Sequence, residues 1–291
     1  MKPAPFKYLA ATSLEHALAL KAEHGDEAKF LAGGQSLMPA MNFRLARPAV
    51  LIDINGIEDL AGIRPAATAT RVGALTRYRS LQRDRGFIQA FPLIGEALPH
   101  IAHPQIRNRG TLGGNLAHAD PASELPAIAV ALEARLRVQS ATGERWIEAS
   151  AFFASALTTD LKPDEMLVEI ELALPKPRSG ACFMEIARRR GDFAIVGVAV
   201  TIGLDDADRC SDARLAFCGV GETPVDASAA AETLIGQPLT EQGARKVAAS
   251  VQAMIDPAGS VHATADYQRH VAGVLTERAL RTGYQRARDG H

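Results

Sequence analysis

Two short stretches decide how this chain is read: "RGTLGGNL", Arg109 to Leu116, and "LAGGQSLMP", Leu31 to Pro39. Each carries an adjacent glycine pair, and the pairs lie about eighty residues apart. Without a Cβ, consecutive glycines let backbone N–H groups converge on one point. Such a nest binds an anion, and a helix N-terminus behind it adds partial positive charge. In the first stretch "AKFLAG" reads as a strand running into Gly33-Gly34. Ser36 then reads as the cap of a helix through "LMPAMNFRLA", with Pro39 tolerated in its first turn. Gln35 and Ser36 add side-chain donors. The second stretch offers the Thr111 hydroxyl, the Gly113 and Gly114 backbone and the Asn115 amide. Two such loops facing one another could hold a diphosphate from both sides. Either pair taken alone reads first as a plain turn after a strand.

Known fingerprints do not choose between these readings. The chain has no G-x-G-x-x-G, no G-x-x-x-x-G-K-[ST], no G-x-S-x-G and no H-E-x-x-H. "GVGETP" at Gly219 begins like a dinucleotide loop, but it lacks the third glycine and puts Pro224 where a helix should start. His100, His103 and His118 lack a matching carboxylate or cysteine at close spacing, so they read as surface or supporting residues rather than metal ligands. Trp146 reads as a core residue on a strand.

Composition sets the outer limits. A chain of 291 residues accommodates about two domains. A hydrophobic content of 47% with 22% charge is that of an ordered globular protein. The formal net charge of −1 argues against a nucleic-acid-binding surface. No run reaches the roughly 20 apolar residues of a membrane span, and the N-terminal residues do not form a secretory signal. A soluble, cytoplasmic protein is expected. Cys182, Cys210 and Cys218 are scattered, which suggests free thiols and speaks against an iron–sulfur or zinc site within this chain.

Along the chain, Thr12 and Glu15 fit a capping box for a first helix that stops at Gly25. "AVLIDIN" and "TRVGALT" read as strands, Pro92 opens a helix, and Ser123 caps "ELPAIAVALEA". "ARLRVQS" and "RWIEA" read as a hairpin around Thr142-Gly143. The proline pair Pro175 and Pro177, after "EMLVEIELALP", marks a domain boundary. Three strands and three helical stretches follow, an α+β pattern of a sheet backed by helices.

"FLAGGQSLMPAMNFRLARPAVLIDING", followed by "IRNRGTLGGNLAHADPASELPAI", resembles the FAD-binding medium subunit of molybdenum hydroxylases, the family of aerobic carbon monoxide dehydrogenase and xanthine dehydrogenase. "RRRGDFAIVGVAV" and "GVGETPVDA" resemble the C-terminal region of the same subunit. The resemblance runs through nearly the whole chain. It implies an α+β protein: a two-subdomain FAD-binding fold of the vanillyl-alcohol oxidase and MurB type, then a smaller α+β domain. Residues 1–175 would form the FAD-binding domain, with subdomains of about 1–56 and 57–175, and residues 176–291 the C-terminal domain. The FAD diphosphate would lie between Ala32, Gly33, Gly34, Gln35 and Ser36 on one side and Thr111, Leu112, Gly113, Gly114 and Asn115 on the other. Asp120 and Glu124 would accept hydrogen bonds from hydroxyls of the cofactor. Phe193 stands where some relatives place a tyrosine beside the isoalloxazine ring; it keeps the stacking face and loses the hydroxyl. Arg188 to Arg190 read either as a solvated strand end or as residues near flavin or partner.

The same resemblance implies that substrate oxidation belongs to a large molybdenum subunit. A small subunit with two 2Fe–2S clusters would deliver electrons to the FAD held here, which passes them to NAD⁺, a quinone or oxygen. A dimer of heterotrimers is the implied assembly. This chain then needs no catalytic side chain and no metal of its own, and it lacks any triad or paired-acid signature. Two other readings stay open: a stand-alone flavin oxidoreductase of the same fold, and a nucleotide-binding module without redox activity.

Overall fold

The structure is a computed structural model and describes residues 2–290. The first layer is a small parallel sheet of β1 (Lys7–Ala10), β2 (Ala28–Leu31) and β3 (Val50–Asp53), ordered β1-β3-β2. Helix α1 (Leu14–His24) makes the first crossover and α2 (Leu37–Asn42) stands between β2 and β3. Ala17 and Leu18 of α1 pack with Ile52 and Ile54 as the core of this layer. The cap of α1 falls one residue later than the capping-box reading. Ser13, not Thr12, accepts from the His16 N–H at 3.1 Å, and the Thr12 hydroxyl meets the His16 ring instead.

A second, antiparallel sheet joins β4 (Ile63–Pro65), β5 (Ala69–Gly73), β6 (Arg135–Ser140), β7 (Gly143–Glu148) and β10 (Met166–Ala173) in the order β4-β5-β10-β6-β7. The expected hairpin is β6–β7, with Ser140 opposite Gly143. Two short strands, β8 (Phe153–Ser155) and β9 (Thr158–Thr159), pair separately. Helices cover one face of the sheet: α3 (Tyr78–Arg83), α4 (Arg85–Ala90), α5 (Pro92–Ala97), α6 (Pro104–Arg107), α7 (Leu112–His118), α8 (Glu124–Ala131) and α9 (Ala149–Phe152). Every residue of α8 is buried, and after Glu124 its sequence, Leu125–Ala131, is apolar all round rather than striped. Trp146 is not a core residue. It lies half-buried on β7, with the guanidinium groups of Arg135 and Arg71 4.9 and 5.7 Å from its ring centroid.

The third layer is an antiparallel sheet of β11 (Ser179–Ala187), β12 (Ala194–Leu204), β13 (Cys210–Cys218) and β14 (Val225–Asp226) in sequence order. Helices α10 (Glu241–Met254) and α11 (Ala265–Asp289) pack on one face. "SAAAETL" forms a 3-10 turn rather than an α-helix. The other face, through Phe183, Ala199 and Ala216, joins the core around α8. All three cysteines are free and buried. Among the described residues no helix is long and apolar enough to cross a membrane.

Candidate functional site

The first glycine loop connects β2 to α2. Gly34 takes a left-handed backbone with φ +71°, which turns the chain from strand into helix. Ser36 stands at the N-cap position but makes no capping bond, contrary to the sequence reading, because its own backbone is already helical. The N–H groups of Gly33, Gly34, Gln35, Ser36 and Leu37 consequently find no acceptor among the described residues. Gly33, Gly34 and Gln35 line a cleft of about 390 Å³, together with Met38, Asp53, Asn55 and Arg109. Gln35 does not reach outward. Its side-chain amide donates to the Gly33 carbonyl at 2.9 Å and braces the loop from within.

The second loop differs in kind, which corrects the expectation of a second set of free backbone donors. Leu112 N–H donates to Thr76 O at 3.0 Å and Gly113 N–H to Ala74 O at 2.8 Å. Gly114 N–H donates to the Thr111 hydroxyl and Asn115 N–H to the Thr111 carbonyl, both at 3.1 Å. The segment is docked on residues 74–76, and docking uses the donors. A Cβ on Gly113 would lie 2.4 Å from that of Ala74, so glycine is required for the approach. The Asn115 amide is paired with the Ser123 hydroxyl at 2.7 and 3.0 Å. Ser123, expected to cap α8, makes no capping bond because its hydroxyl is turned to Asn115.

The fold brings the two loops into direct contact. A Cβ on Gly33 would stand 2.6 Å from the Arg109 carbonyl oxygen and 2.9 Å from the Gly110 Cα. Thr111–Asn115 follow directly, and a Cβ on Gly114 would lie 3.7 Å from that of Ala32, so the two predicted stretches are neighbours. The first loop carries five open N–H donors; on the second side it is Ile106 and Arg109, rather than Thr111–Asn115, that line the cleft.

Asp120, Glu124 and Phe193 lie toward the C-terminal domain. Asp120 accepts from Ala122 N–H at 2.9 Å and shapes the turn before α8. Pro121 O in that turn accepts from Gly219 N–H at 2.8 Å, so the "GVGETP" loop is a domain-docking element. Glu124 is only 5% exposed. Burial, and next the facing Glu185 carboxylate, push it up to about 8, with Asp120 adding to the effect. Glu124 thus lies enclosed at the junction of the two domains, away from the residues that line the cleft at the first loop. Glu185 in turn stands 3.7 Å from His100. Phe193 is 69% exposed in the loop between β11 and β12. That loop rests on the segment leading to the second glycine loop, since a Cβ on Gly191 would meet His103 and the Ala102 carbonyl. Arg188 and Arg189 pair with Asp192. Among the described residues no cluster of three or more His, Cys, Asp or Glu is placed to hold a metal.

Sequence reasoning passed over Asp53, Asn55 and Arg77, which stand around the first loop. Asn55 donates to Leu31 O and Ala32 O at 3.2 and 2.9 Å. The only signal was the "DING" that closes β3, a strand end beside a glycine loop in a parallel sheet.

An FAD diphosphate fits this set of groups: five consecutive N–H donors without partners at the entry to α2, with Gly33, Gly34, Gln35 and Arg109 lining the cleft. Comparison with known proteins agrees. Residues 4–177 match the model of the FAD binding domain in molybdopterin dehydrogenase, and residues 181–282 match the CO dehydrogenase flavoprotein C-terminal domain. The chain belongs to this family. It is an FAD-binding medium subunit of the molybdenum hydroxylase type, an oxidoreductase component. It is 43% identical to the 6-hydroxypseudooxynicotine dehydrogenase complex subunit alpha of Paenarthrobacter nicotinovorans, over 99% of this chain and 97% of that one. It is 42% identical to caffeine dehydrogenase subunit beta of Pseudomonas sp. strain CBB1, over 96% and 95%. Among solved structures, a chain of carbon monoxide dehydrogenase from Hydrogenophaga pseudoflava superposes with a TM-score of 0.95 at 37% identity, covering 98% and 99%. The medium-subunit fold of this family is thus the fold of the present chain: a two-layer FAD-binding domain and an α+β C-terminal domain.

Proposed function

We propose that this chain holds FAD with its diphosphate at residues 32–36, against the wall formed by Thr111–Asn115, and serves as the exit for electrons in a three-subunit enzyme. The observation that carries this is the row of five open N–H groups at the Gly33–Arg109 contact. A diphosphate there gains charge-assisted hydrogen bonds and the favourable end of the α2 dipole. Thr111, Leu112, Gly113, Gly114 and Asn115 stand behind the Arg109 side of the cleft, with the backbone donors of Leu112, Gly113, Gly114 and Asn115 used within the fold. Phe193 offers an apolar face on the C-terminal side, and Asp120 holds the turn between the two domains. Glu124 supports that turn from inside.

Bound FAD supplies the exchange between one-electron and two-electron transfer. The chain's own part is to bind, orient and shield. Its relatives are named as subunits of dehydrogenase complexes, which supports a small partner with 2Fe–2S clusters and a large molybdenum partner. A dimer of heterotrimers, with NAD⁺, a quinone or oxygen as acceptor, completes the reading.

The direct test is the absorption spectrum of the purified chain before and after FAD is added and the excess removed by gel filtration. Retained flavin, released intact on denaturation, is the expected result. A folded chain that keeps no flavin, alone or with its co-expressed partner subunits, would overturn the assignment.

A further inference from the structure

Two residues outside both glycine motifs tie the loops together. Asn55 follows β3, and its side-chain N–H₂ faces acceptors only: Asp53 Oδ1 at 2.6 Å, Ala32 O at 2.9 Å and Leu31 O at 3.2 Å. That leaves its Oδ1 toward the guanidinium of Arg77, which donates to it. This is the one amide orientation that satisfies every neighbour. The other end of the same guanidinium donates to the carbonyl of Arg109. The Arg109 carbonyl is also the atom against which Gly33 packs. A continuous line of bonds therefore runs from the first loop through Asn55 and Arg77 to the second.

Each half is built into its own side. Asn55 N–H donates to Asp53 Oδ1 at 2.9 Å, which fixes the turn at the end of β3. Arg77 is bridged to Thr111 through Tyr78 N–H to Gly110 O at 3.1 Å and Leu112 N–H to Thr76 O at 3.0 Å. Both side chains are half-buried. Two of the five N–H donors of Arg77 are thus committed to fixed acceptors, one on each loop's side.

We infer that Asn55 and Arg77 act as a clip that sets the spacing of the two glycine loops, and that they are positioning residues for the cofactor rather than contacts to it. The inference rests on the placement of the diphosphate proposed above. A lysine cannot replace the clip, because one ammonium does not span two acceptors held by a planar fork.

The experiment uses the full chain and four variants: Arg77→Met, Arg77→Lys, Asn55→Leu and the double Asn55→Leu/Arg77→Met. FAD dissociation constants are measured by flavin fluorescence well below the melting temperature. Amide hydrogen exchange is followed on the same proteins without ligand. Each single variant, Arg77→Lys included, is expected to weaken FAD binding about tenfold, and the double variant no more than the weaker single, since coupled residues are non-additive. In the ligand-free chain, Asn55→Leu should speed exchange across residues 109–118, on the far side of the clip, and Arg77→Met across 31–38. A loss of stability alone would not give this crossed pattern. Near-native affinity in Arg77→Lys together with a neutral Asn55→Leu would overturn the clip in favour of a direct charge contact. Losses that multiply in the double variant would overturn it as well. If the wild-type chain retains no FAD, the functional reading fails separately. Crossed exchange would then still support the loop spacing, and its absence would refute it.

Discussion

Gly33→Ala tests the meeting of the two loops with one methyl group. The added Cβ would stand 2.6 Å from the Arg109 carbonyl oxygen and 2.9 Å from Gly110 Cα, against ordinary contacts of 3.4–4 Å. The shortfall is about 0.8 Å, and both opposing atoms are backbone, so no side chain can swing away. Overpacking of this kind costs about 1–3 kcal/mol. Relief requires the loops to part, which displaces the loop that carries the five open N–H donors. At ~1.4 kcal/mol per decade, a binding loss of similar size is about tenfold to a hundredfold in FAD affinity. Isothermal titration of the folded variant with FAD reads this directly, and circular dichroism and melting confirm the fold. A well-folded Gly33→Ala chain that binds FAD within about twofold of wild type would refute the argument that the apposition of the loops makes the site.

Gly180→Ala is the matching control. Its Cβ would fall 2.0 Å from the Gly283 carbonyl on α11, so the melting temperature should drop by about 2–4 °C for each kcal/mol lost while FAD affinity stays constant. A parallel fall in affinity would mean that the C-terminal sheet shapes the diphosphate site. Phe193→Ala should leave melting unchanged, since the ring is 69% exposed, but alter the bound-flavin spectrum or reoxidation rate; no change in either would remove Phe193 from the site. Glu124→Gln should alter the pH dependence of stability. Burial beside Glu185 raises Glu124 from an ordinary 4.5 to about 8, so the folded chain holds a proton that the unfolded chain releases. Its contribution is complete below about 4.5 and is lost as pH rises toward 8. The fall in melting temperature between pH 5 and 8 should therefore flatten in E124Q; an unchanged slope would show that Glu124 is not the titrating group.

The sequence carried the local half of this structure. Strands β2 and β3, the hairpin β6–β7, the three long C-terminal strands and the helix opened by Pro92 were all visible in periodicity and turn residues. β1 was missed because "KYLA" is short and mostly exposed, with no alternation strong enough to mark it. "SAAAETL" reads as helical because alanine favours helices, and it winds instead as a 3-10 segment. The caps expected at Ser36 and Ser123 followed a sound preference, but each hydroxyl was settled by its surroundings: one by an already helical backbone, the other by Asn115.

The glycine pairs themselves could be read from the chain, because only glycine permits such turns and approaches. Which pair keeps its N–H groups open could not. That depends on residues 74–76, whose carbonyls take the donors of the second loop, and on no such strand crossing the first. Nor does any spacing reveal that Asn55 meets Arg77, or that Glu124 meets Glu185 across two domains. Turn chemistry is local and is written in adjacent residues. The pairing of donors, the sharing of protons and the distance between two loops are long-range, and they exist only once the layers have packed.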